Sequence, residues 1–225
     1  MKKKSVAALI LAAALAAQPM CVFASSSSDS DGGVSTTTTT SSTKSDTTVT
    51  VTSTGVKTTG ATTSADPKGT SIGVVVETTT TTGQQVTVNS RGEAVVGDVA
   101  IGFAKDSQSA TNGLPSQVVS AINEINSGKN LAEVIKDVDV TGFNALTGTH
   151  AIITKDAATG QIKDTPTEVS LYVPNLVAGL NNVEVLFYNN VTGKWILLPA
   201  VKVDPVTKTV AVSIPGSGTL SVVYK

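Results

Sequence analysis

Tyr188 and Trp195, in "YNNVTGKW", flank a turn and include the chain's one tryptophan. If the loop is 190–193, the two rings stand opposite each other on one face of a hairpin. Amphipathic rings on a flat sheet suit the apolar faces of pyranose sugars, so Tyr188 and Trp195 are the candidate ligand-binding residues. The same geometry inside a core is a cross-strand aromatic pair worth about 0.5–1.5 kcal/mol beyond simple burial. By period-two alternation the opposite face holds Val183, Val185, Phe187, Ile196 and Leu198 and must be core. The ring face also carries Glu184, Leu186, Leu197 and Pro199. That mixture fits either a face covered by helices or one turned to water, and a loop one residue shorter would turn Trp195 inward.

Asp137 and Asp139, in "KDVDVTGF", place two carboxylates one residue apart near a glycine. Calcium favours such hard oxygen ligands, so the pair is the candidate metal site, although the spacing of an EF-hand loop is missing. His150 is the sole histidine. A general base needs a nucleophile and usually an orienting carboxylate. No Gly-x-Ser-x-Gly elbow accompanies His150, which reads as structural or solvent-facing. Paired acids for glycoside hydrolysis would draw on Glu77, Glu93, Glu168 or Glu184, none in a recognisable setting. The expectation is a chain that is not an enzyme and holds no cofactor, calcium apart.

The N-terminus, "MKKKSVAALILAAALAAQPMCVFA", has three lysines, a short apolar run and, in Val22-Phe23-Ala24, small or medium residues at the positions a signal peptidase reads. It reads as a secretory signal peptide over 1–24, too short in its apolar part to span a bilayer. Cys21, the one cysteine, falls inside it, so the mature chain has no thiol, no disulfide and no cysteine-based zinc site. The expected location is extracellular or envelope-associated, with no membrane insertion after cleavage. Without the leader's lysines, 13 basic residues face 17 acidic ones, and no basic stripe invites nucleic acid.

These residues need elements to position them. Between Ser25 and Ser64, 26 of 40 residues are Ser or Thr. Such a stretch has little to bury, so 25–66 is expected to be a disordered Ser/Thr-rich stalk. Val49 and Val51, alternating with threonines, leave room for a loose strand there. From 67 to 225 the composition is that of a folded domain. Short β-branched segments near 72–80, 84–89 and 94–103 are punctuated by glycines. Val118, Ile122 and Ile125 then mark one helical face, with Pro115 at the start and Gly128 at the stop. Asn130 and Glu133 resemble the cap of a second short helix, 131–136. Further strands are expected near 151–154, 168–173, 183–188, 195–203, 209–214 and 219–224, the last four as an antiparallel meander with turns at "NNVTGK", "DPVTK" and "PGSG". The expected fold is mainly β: an antiparallel β-sandwich-like domain with a small helical insert near 115–136.

The stretch from Val183 to Lys225, with "YNNVTGKW" and the final "GTLSVVY", resembles the terminal β modules of exported bacterial surface proteins. The whole domain is also similar to small secreted proteins of gut-type anaerobes. Such modules are accessory or structural, so the resemblance implies a non-catalytic interaction role, with an unknown protein or cell-wall glycan as partner, and carries no catalytic residues over.

Overall fold

A computed structural model describes residues 49–59 and 71–225. The expected leader, 1–24, and most of the expected stalk, 25–66, lie outside them. The described residues form a mainly β body. Strands β1 (Val49–Val51), β2 (Lys57–Thr59), β3 (Gly73–Val75), β4 (Thr78–Thr79), β5 (Gln85–Val88), β6 (Ala94–Val96) and β7 (Val99–Phe103) come first. Helices α1 (Ser107–Thr111), α2 (Ser116–Asn126) and α3 (Leu131–Val134) follow. The chain then returns to strands: β8 (Asn144–Ala145), β9 (His150–Asp156), β10 (Thr167–Tyr172), β11 (Glu184–Asn189), β12 (Lys194–Asp204), β13 (Thr209–Ile214) and β14 (Gly218–Tyr224).

These strands make one antiparallel sheet in the order β1-β2-β3-β10-β13-β12-β11-β14-β9-β7-β6-β5-β4, with β8 attached to β14. The sheet is curled, a half-barrel rather than a clear two-layer sandwich. Two features let it curl. Strand β12 pairs with β11 through residues 194–199 and with β13 from Ala200 onward, with a register shift between Ala200 and Lys202. A bulge of this kind bends its strand and strengthens the twist. The second feature is the segment expected as one strand over 72–80. It is kinked at Glu77, which sits at φ 55°. Val76 N still donates to Lys57 O, whereas Glu77 N donates to Val86 O. One segment therefore serves both ends of the strand order.

Two expectations are corrected. Residues 49–59 are not stalk: Val49 pairs with Thr59 and Val51 with Lys57 around Gly55, and β2 continues onto β3. Alternating Val and Thr suit a pleated surface, and Gly55 at φ 77° permits the reversal. The last four strands are also not a plain meander. β11, β12 and β13 follow one another, but β14 returns to lie between β11 and β9. The reason is burial, because residues 218–223 are buried on both faces and cannot form an edge. The order β14-β11-β12-β13 is a Greek key.

Alternation along the strands gives the sheet two cores. Inside the curl, Val74, Ile101, Leu171, Phe187, Val212 and Leu220 meet from facing strands. On the other side of β11, β12 and β14, Leu186, Tyr188, Trp195 and Val223 pack under Ile122, Ile125 and Leu131 of α2 and α3. Pro115 stands at the N-cap of α2, and Gly128 at φ 83° follows its C-cap Ser127. Asn130 caps α3 by accepting from Ala132 N at 2.9 Å. Helix α1 had no clear apolar signal; it is held by a capping box between Asp106 and Ser109.

Candidate functional site

The hairpin geometry brings Tyr188 and Trp195 together as a directly opposed pair. Their ring centroids are 5.4 Å apart with planes at 56°. Both rings lie beneath the helices, Tyr188 3% and Trp195 5% exposed. They fill the second core, so neither ring offers the open face that sugar stacking needs.

Asp137 reaches the same hairpin. Its Oδ2 accepts a hydrogen bond from Trp195 N at 3.0 Å. At this point β12 pairs with none of the described strands on its far side, because β13 begins pairing only at Ala200. The carboxylate replaces a missing ladder partner. Asp139 turns back on its own loop and accepts from Thr141 N at 2.9 Å. Hydrogen bonds from Thr141 hold its carboxyl below the ordinary aspartate range. The two acids thus serve different backbone groups. Among the described residues no three His, Cys, Asp or Glu side chains gather closely enough to hold a metal.

His150 opens β9, 3% exposed, edge-on to Phe103 with centroids 6.4 Å apart. Beside it, Asn126 ties the end of α2 to the start of this strand: Thr149 N donates to Asn126 Oδ1 at 2.8 Å and Asn126 Nδ2 to Thr149 Oγ1 at 3.0 Å. The four candidate glutamates are dispersed. Glu93 binds Lys155 and Arg91, Glu77 pairs with Lys57, and Glu168 accepts from both Thr81 N and Thr81 Oγ1 at 2.6 Å. Glu184 sits half-buried in β11.

A feature that sequence reading missed lies on the outer side of β10, β12 and β13. Register places Lys202, Ala211 and Ser170 in one row across three strands, with Asp204 and Thr209 alongside and Val75 next to the Leu171–Val74 pair. The small side chains of Ala211 and Ser170 leave a depression there. The β4–β5 hairpin stands over it, fixed by the Thr81–Glu168 contacts. The β1–β2 turn and the Lys57–Glu77 ion pair close another side. The result is a cleft of about 590 Å³. Its lining combines the hydroxyls of Thr79, Ser170 and Thr209 with the ammonium of Lys202 and the carboxylate of Asp204. Val206 N and Thr207 N both donate to Asp204 Oδ1, and the Thr207 bonds hold this carboxyl below its usual range, so it is charged at neutral pH. Alternation could have shown that Ser170 and Ala211 point outward. It could not have shown that their strands are neighbours.

Comparison with known proteins finds no matching family model, no similar curated sequence and no similar solved structure.

Proposed function

We propose that the chain is an exported, non-catalytic interaction module of the cell envelope or extracellular space. In this reading residues 1–24 are the secretory leader and the Ser/Thr-rich stretch ahead of β1 is a tether. The β domain behind it is a variant of the sandwich-type modules that the pattern from Val183 to Lys225 resembles. The observation that carries the reading is the outer cleft. Its polar groups converge from strands in the middle of the sheet, whose inward side chains are locked in the core. A site built on rigid strands holds its groups in place without ordering on binding, which favours recognition.

The test is expression of the full chain in a bacterium with a functional secretion system. N-terminal sequencing is expected to begin at Ser25, and the secreted domain is expected to co-sediment with isolated envelope material. Retention of the chain in the cytoplasm with its N-terminus intact, or failure to bind any envelope fraction, would reject the proposal.

A further inference from the structure

Resting on the reading of the domain as an interaction module, we infer that the cleft formed by Ser170, Thr209, Ala211, Lys202, Asp204 and Thr79 binds a short, uncharged oligosaccharide.

The argument begins with size and charge. At about 590 Å³ the cleft lies within the roughly 300–1,000 Å³ of small-molecule sites. Its two ammonium groups are matched by two carboxylates: Lys57 is ion-paired with Glu77, and Lys202 lies two residues from Asp204, whose charge it helps to stabilise. A balanced lining gives no net attraction to phosphate or to an acidic polymer. What remains is a dense set of hydroxyl, ammonium and carboxylate groups that can donate and accept at fixed positions. A polyol presents both donors and acceptors at each carbon and can engage such a set in pairs.

The floor argues the same way. Val56, Val75, Val76 and Ala211 line the cleft among the polar groups, so apolar and polar surface are mixed at short range. Sugar rings carry C–H faces and hydroxyl rims at the same spacing. An extended peptide would need a free strand edge to supply main-chain hydrogen bonds. The floor strands β10 and β13 are paired on both sides over this region, while the edges within reach are β4, two residues long, and the far side of β12 beyond Ala200. Recognition by the floor of the cleft must therefore pass through side chains. Among the described residues the lining holds no aromatic side chain, which points to hydrogen bonding rather than stacking as the source of selectivity.

The experiment is a titration of the isotope-labelled full chain with cellotetraose, chitotetraose and mannotetraose, followed by amide chemical shifts, with inorganic phosphate as a separate arm. At least one tetramer is expected to move the amides of Ser170, Thr209 and Ala211. Lys202→Ala, an exposed change that leaves both cores untouched, is expected to weaken that binding by about tenfold. Ser170→Phe, which fills the floor, is expected to abolish it. The inference falls if no tetramer perturbs the cleft at millimolar concentration, if the shifts centre on the Tyr188–Trp195 hairpin, or if phosphate binds the cleft and the sugars do not. Envelope co-sedimentation that persists while all three tetramers fail would leave the interaction module standing and reject the sugar site.

Discussion

Glu93 shows how a single carboxylate ties separate parts of the sheet together. Its Oε1 accepts from Lys155 Nζ on β9 at 2.7 Å, and its Oε2 accepts from Arg91 Nε at 2.8 Å and Asn89 Nδ2 at 2.9 Å. Burial pushes this carboxyl up, but the bonds from Lys155, Arg91 and Asn89 outweigh it and bring the pKa down to about 2. A pKa lower in the folded than in the unfolded chain stabilises the fold above the unfolded value, near 4.5, and that contribution is lost as pH falls toward 2. Glu93→Gln is therefore expected to lower stability by about 1–2 kcal/mol at pH 7, half-exposed Arg91 being screened by solvent. The deficit should vanish near pH 2, which denaturant titrations across that range will measure. Gly218 makes a different residue-scale demand. A Cβ there would collide with the Tyr188 carbonyl oxygen and the Phe187 ring. Gly218→Ala must push β14 away from β11, and thermal unfolding should report a loss of about 3 kcal/mol or more. Neither demand is visible in sequence, because each depends on a neighbour from another strand.

The hairpin of β11 and β12 was the most legible element. Asn, Thr and Gly in "NNVTGK" fixed the turn, and alternation then placed Tyr188 opposite Trp195 and assigned Val185 and Phe187 to the inner core, as observed. What covers the ring face was not legible. Val118, Ile122 and Ile125 announce an apolar helical stripe, but nothing in a stripe says which sheet face receives it. The structure shows the stripe on this hairpin. Truncating Trp195 to Ala should therefore cost about 3–5 kcal/mol, the range of a large aromatic removed from a core. Asp137→Ala should cost about 1 kcal/mol by leaving Trp195 N–H without its acceptor. Chemical denaturation of the two variants separates these magnitudes. Equal, negligible losses would place the hairpin face in water.

At the scale of the whole molecule, composition and turn chemistry predict a mainly β, antiparallel body with a small helical layer, and the structure has that form. Strand order was beyond reach of the sequence. Period-two alternation assigns faces within a strand, yet β14 beside β11 and β3 beside β10 are pairings between segments far apart in the chain. The outer cleft depends on that order, since Ser170, Ala211 and Lys202 come from three different strands. The outer side of the sheet is thus divided: over β11, β12 and β14 helices seal it around the aromatic pair, and over β10 and β13 it stays open as the cleft to which we assign recognition. Because Trp195 is the chain's one tryptophan, its fluorescence reports directly on that seal. Blue-shifted emission that acrylamide quenches poorly in the native chain and readily after unfolding is the expected result. Native emission already as red-shifted and as easily quenched as that of the unfolded chain would contradict it.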